Sequence, residues 1–228
     1  ILQGEFATAV VLYQAILDID PYHPVAEPVL YKLLECTGQT AVPEMEPTEP
    51  PPSQINALHC LLQMPSSENL ATAEQACREL LQTYPHSATV LNTLGAVHYW
   101  QGQRVQAIHA FDMALRIAPD DADYYNNRGA TYNGLGRFVQ AIADFDRAIE
   151  LQPNLADAYN NRGIGCNATG QFARAKTDYE KAIALQPDFA EAYVNQGVLL
   201  RNLGNFDDAV ATYTKALKLT PALATAHY

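Results

Sequence analysis

Three asparagines, Asn127, Asn161 and Asn195, stand 34 residues apart. A carboxamide offers two N–H donors and an acceptor oxygen, so a row of them suits a peptide backbone whatever side chains that peptide carries. Asp123, Asp157 and Glu191 keep the same interval four residues upstream. Residues at i and i+4 share one face of a helix, where the acids would favour Lys or Arg in the ligand. Asn126 and Asn160 lie beside this stripe, and Asn133, Asn167 and Arg201 lie further along the same helices. Tyr99 and Trp100 close an earlier helix; both types are favoured anchors at interfaces, although a solitary Trp serves equally to cover a seam between repeats. The competing account of the asparagines is that copying of the repeat carries them along a solvated face.

Reaction chemistry finds no comparable support. The histidines His23, His59, His86, His98, His109 and His227 form no His-x-x-x-His pair. His98 shares a repeat position with Tyr132 and Cys166, which points to packing. The cysteines Cys36, Cys60, Cys77 and Cys166 show no Cys-x-x-Cys spacing, whereas zinc demands four converging ligands; they fit a reducing compartment, and a cytoplasmic location is expected. The glycines are spaced by a period and not clustered into a phosphate loop. Asp144 and Asp146 lie within reach of Arg128 or Arg147, so a structural ion pair outranks a pair of catalytic carboxylates. The segment reads as no enzyme, with no cofactor and no metal.

The elements that position these residues follow from the period. Gly95, Gly129, Gly163 and Gly197 are spaced by 34 residues, although a glycine inside a helix costs about 1 kcal/mol relative to alanine. The same step relates Ala107, Ala141, Ala175 and Ala209, then Phe111, Phe145, Tyr179 and Tyr213, then Ala114, Ala148, Ala182 and Ala216. Gly102, Gly136, Gly170 and Gly204 mark a turn inside each unit, and Pro119, Pro153, Pro187 and Pro221 end it. Each unit reads as helix A, turn, helix B and a proline stop. For residues 122–155 the helices are expected over about 122–135 and 138–151. Small residues at Gly129 and Ala141 allow close approach, and Phe145 fills the space beside it. Such self-similarity signals an all-α solenoid of stacked helical hairpins.

These residues resemble the tetratricopeptide repeat. Thr93-Leu94-Gly95 and Ala107…Phe111…Ala114…Pro119 match its pattern, and the next units begin Tyr125-Asn126-Asn127-Arg128-Gly129, Tyr159-Asn160-Asn161-Arg162-Gly163 and Tyr193-Val194-Asn195-Gln196-Gly197. Arg or Gln before the glycine replaces the usual Leu, as in bacterial-type members. The resemblance implies a right-handed superhelix whose concave wall is formed by the A helices. The asparagine row further resembles the ladder of the O-linked N-acetylglucosamine transferase repeat domain, which holds extended protein segments. Three rungs match, and Thr93 ends or weakens the row in the preceding unit. The chaperone-binding subgroup clamps a terminal carboxylate with Lys and Arg; Asn126, Ala130, Asn161, Glu191 and Asn195 occupy those places here, which excludes that clamp.

Five units are expected over 54–223, at 54–87, 88–121, 122–155, 156–189 and 190–223. Residues 1–42 read as partial, irregular repeats: Gly4, Phe6, Ala9, Tyr13 and Pro21 reproduce the second half of a unit, and 24–37 resembles a helix A. Residues 43–53 hold five prolines and read as an extended acidic linker. Residues 224–228 begin a further repeat. The sequence lacks an initiating Met and polar capping helices, so it is expected to be part of a longer protein.

The net charge is −11. Residues 1–87 carry eleven acidic against two basic side chains, and residues 88–223 fourteen against twelve. Nucleic acid is an unsuitable partner for that balance, because binding it needs cations to displace phosphate counterions. No apolar run reaches the length of a membrane span. The sequence therefore implies a protein-interaction scaffold binding an extended, neutral-to-basic segment in the A-helix groove. Two alternatives are the substrate-recruiting or regulatory arm of a larger enzyme, such as a glycosyltransferase, and self-association through open repeat ends.

Overall fold

The computed structural model describes residues 48–220 and Leu12. The expected partial repeats over 1–42, most of the linker and the start of a further repeat at 224–228 lie outside the described residues. Among the described residues every regular element is a helix: α1 (Pro52–Gln63), α2 (Ser67–Thr83), α3 (Ala88–Trp100), α4 (Arg104–Ile117), α5 (Ala122–Gly134), α6 (Phe138–Leu151), α7 (Ala156–Ala168), α8 (Phe172–Leu185), α9 (Ala190–Asn202) and α10 (Phe206–Leu219). Odd-numbered helices open the hairpins and even-numbered ones close them.

Local chemistry sets the boundaries. Proline disfavours the helical region for the residue before it, and the residues closing all five even helices leave that region accordingly. Ala118 has φ −123° and ψ 79°, and Gln152 has φ −134° and ψ 88°. The turn glycines Gly102, Gly136, Gly170 and Gly204 adopt φ between +71° and +81°, the left-handed region that costs glycine no Cβ clash. Ser66 and Ser87 accept from the amides of Asn69 and Val90, each at 3.1 Å, capping α2 and α3. Asp121 caps α5 through the amides of Asp123 and Tyr124.

Packing inside the hairpins rests on a glycine–aromatic pair. A Cβ placed at Gly95 would come within 2.5 Å of the Phe111 ring, and the distances at Gly129, Gly163 and Gly197 are 2.7, 2.6 and 2.6 Å to Phe145, Tyr179 and Tyr213. Phe111, Phe145 and Tyr179 are fully buried there. Alanines at 107, 141, 175 and 209 complete the close approach, all buried.

Neighbouring odd helices approach one another backbone to backbone from α1 to α9, whereas no two even helices do so among the described residues, where α6 and α8 meet only through side chains, Asp146 with Arg174. The even helices are therefore splayed apart, and the odd helices line the inside of the bend. The linker expectation needs one correction. Pro52 and Ser53, expected in the extended linker, open α1, because proline is tolerated in the first turn, where its missing N–H has no helical partner. Glu49 before them accepts from Ser87 Oγ and from the amide of Thr89 at 3.3 Å, and Pro50 is buried. This stretch lies against the start of α3.

Candidate peptide-binding groove

Consecutive odd helices place their asparagines face to face. Asn127 Nδ2 donates to Asn92 Oδ1 at 3.0 Å, Asn161 Nδ2 to Asn126 Oδ1 at 3.1 Å, and Asn195 Nδ2 to Asn160 Oδ1 at 2.9 Å. Each bond joins residues 35 apart, so the partner lies one position before the row that the sequence singles out. This corrects the expectation that the row ends or weakens at Thr93: the rung in that unit is Asn92, and Thr93 is buried and donates to the Thr89 carbonyl at 2.8 Å. Asn126 and Asn160 are the acceptors of the ladder and not side members of a free stripe. Asn160 is 1% exposed and is withdrawn from the groove.

Asn133 also turns from the groove towards the next helix, donating to the Asn161 carbonyl at 2.8 Å. The absence of a side chain at Gly165 allows this, since a Cβ there would lie 3.0 Å from Asn133 Oδ1. Asn167 is half-buried, and Arg201 is exposed. Asn92 could have been found from the successive 34-residue steps that relate it to Asn126 and Asn160.

The acids remain open. Asp123, Asp157 and Glu191 are exposed in the first turns of α5, α7 and α9, and none makes an ion pair with a described residue. Partial burial, then Asp121 and Asp157, raise the Asp123 carboxyl above its ordinary range. Burial raises Asp157 as well. At the other end of α3, Tyr99 and Trp100 form an edge-to-face pair with centroids 5.6 Å apart, and Trp100 is 57% exposed.

Behind the groove, Arg128 fills the gap between two even helices. Its Nε and Nη2 donate to Asp144 of α6 at 2.9 and 2.7 Å, and Nη1 donates to Asp112 of α4 at 2.6 Å. Arg162 repeats the arrangement one unit on, with Asp178 at 2.9 and 2.5 Å and Asp146 at 2.7 Å; Arg174 also reaches Asp146. Burial opposes the charge of both arginines, but the carboxylates more than offset it and hold them protonated. Arg128 therefore meets the expectation for Asp144, whereas Asp146 belongs to Arg162 and Arg174. Arg147 instead pairs with Asp120 and Glu150. Tyr125 and Tyr159 lie beneath these guanidinium groups at 5.6 and 5.4 Å.

No group of three or more His, Cys, Asp or Glu side chains could hold a metal among the described residues. Cys77 and Cys166 are buried free thiols, and burial pushes Cys77 up to about 12. No described helix is long and apolar enough to cross a membrane.

Three models described as tetratricopeptide repeat match residues 66–128, 122–155 and 168–224. The chain belongs to the tetratricopeptide repeat family. Its TPR array is a protein-interaction scaffold. No curated protein matches the sequence. Among solved structures, one of MamA is 27% identical with a TM-score of 0.59, covering 69% of this chain and 92% of that one. A thermophilic TPR protein of Thermus thermophilus is 22% identical with a TM-score of 0.66, covering 74% and 92%. YrrB, described as a TPR protein with an unusual peptide-binding site, is 22% identical with a TM-score of 0.56, covering 84% and 92%. The last two likenesses concern the TPR fold alone.

Proposed function

We propose that this TPR array holds an extended, neutral-to-basic protein segment along its odd helices. The observation that carries the reading is the open row of Asp123, Asp157 and Glu191, carboxylates without cationic partners among the described residues. A basic side chain would supply the missing charge. The ladder supports it, because each amide–amide bond uses one donor and one acceptor, leaving an N–H and a carbonyl oxygen for a ligand backbone.

The sign of the pH dependence follows from the raised carboxyls. An acid raised in the folded state costs stability while ionised, and the cost is relieved as pH falls through its folded value. A basic ligand offsets the cost only while the acids are ionised. Affinity for a Lys-containing peptide is therefore expected to fall with pH as Asp123 and Asp157 take up protons, and to weaken with salt. Asp123→Asn with Asp157→Asn should lose about tenfold in affinity, equivalent to ~1.4 kcal/mol, while melting at the same temperature or higher. Titration of a basic peptide against both proteins by calorimetry tests this; equal affinity would remove the acids from the groove's function.

A further inference from the structure

Arg104 differs from the arginines buried between the even helices. It makes no ion pair with a described residue, and its Nη1 is buried without a hydrogen-bond partner. Its guanidinium lies 4.8 Å from the Tyr99 ring centroid. It also crosses the end of α5, where a Cβ at Gly134 would meet Nη1 at 2.8 Å. Phe138, Phe172 and Phe206 hold its position in later units, so repeat packing does not call for a cation here. Trp100 stands beside it, exposed, while Gly134 and Ala168 at the same position in the next hairpins are exposed and small.

This corner carries the opposite sign to the acids. Asp123 lies in the first turn of α5 and Gly134 is its last residue, an axial separation of ~16 Å at 1.5 Å per residue. Trp100 ends α3, one odd-helix spacing of ~9 Å across the groove, so Trp100 and Asp123 are ~19 Å apart. An extended peptide covers that distance in about six residues.

We infer that the groove takes a bipolar peptide: an acidic residue on Arg104 beside a flat side chain stacked on Trp100, and a Lys or Arg about six residues away at Asp123. The inference rests on the peptide-binding reading above and names the charge pattern of its ligand. Planar groups stack well on Trp, and a carboxylate would give the Arg104 guanidinium the charge-assisted partner it lacks.

Trp100 is the single tryptophan of the chain, so its emission reports this corner directly. The test compares two acetylated twelve-residue peptides. One carries Phe-Glu and Lys-Lys separated by five Gly/Ser residues, and the other has Ser-Gly in place of Phe-Glu. The bipolar peptide should bind at least tenfold tighter and perturb Trp100 emission. Arg104→Gln and, separately, Trp100→Leu should erase that advantage, with affinity for the basic peptide and circular dichroism unchanged. Equal binding of the two peptides, or an advantage that survives Arg104→Gln, overturns the bipolar ligand while leaving the basic-segment reading in place. If neither peptide binds, both fall.

Discussion

Arg162→Leu is expected to cost about 3–5 kcal/mol, because it strands Asp178 without its cation. The Asp178 side chain is 2% exposed and receives two hydrogen bonds from Arg162, so removal of the arginine leaves a buried charge that no water reaches. For an array of this size the loss corresponds to a fall of roughly 6–20 °C in melting temperature. The double variant Arg162→Leu, Asp178→Ala should recover most of it, since neither charge is then buried. Asp146 tolerates the change: it is 39% exposed and keeps Arg174.

The chain itself contains that double substitution. In the unit over 88–121 the corresponding positions are Leu94 and Ala110, and a cavity of about 500 Å³ lies there, lined by residues that include Leu81, Leu94, Ala110 and Met113. In the unit over 190–223 they are Gln196 and Thr212. Arginine and aspartate thus occur together or not at all. Calorimetry of the single and double variants decides the matter. If the double loses as much as the single, the pair contributes attraction beyond the cost of burying its members, and the natural Leu–Ala unit is stabilised by other contacts.

The repeat was legible in the sequence because its packing is made of single residues at fixed offsets. Glycine against an aromatic ring, glycine in a left-handed turn and proline after a helix each leave one unambiguous letter per unit. Helices at 138–151 could be placed to the residue for that reason. The ladder was half legible. Asn127, Asn161 and Asn195 stood out by their spacing, but a hydrogen bond between helices joins two different positions of the repeat. The partners Asn92, Asn126 and Asn160 therefore lie in another column, and periodicity alone does not say which columns face each other. The consequence for experiment is direct: Asn127→Ala leaves Asn92 Oδ1 without its donor, so a ladder substitution changes stability together with the groove surface. The open acids are the cleaner probe.

Arg104 and Glu49 left no trace in the sequence for the opposite reason. Neither recurs at 34 residues, and their surroundings are assembled at helix ends, Tyr99 of α3 and Gly134 of α5 in one case and the start of α3, Ser87 and Thr89, in the other. A repeat makes its shared residues conspicuous and hides those unique to one unit. In this groove the unique corner, with Trp100 and Arg104, is the part that could tell one ligand from another.

Gly129→Val is expected to destabilise the array by about 3 kcal/mol, at the upper end of what overpacking a core costs. A Cβ at this position would lie 2.7 Å from the Phe145 ring, which is fully buried. The ring cannot retreat, because Ala141 and Ala148 on either side of it in α6 are equally buried. Helix propensity works the other way, since glycine is about 1 kcal/mol worse than alanine in a helix interior, so Gly129→Ala should lose less than Gly129→Val. Adding Phe145→Leu to Gly129→Val should restore at least half of the stability: valine adds three carbon atoms and leucine removes three, keeping the volume of the contact. The turn glycine Gly136 provides the contrast. No atom lies within 4 Å of its Cβ position, yet its φ is +71°, so Gly136→Ala should cost about 1 kcal/mol through backbone strain, and no ring substitution should rescue it. Urea unfolding of the five proteins separates the two causes. A silent Gly129→Val would mean that α5 and α6 do not approach as closely in solution, and the 34-residue glycine would then need another explanation.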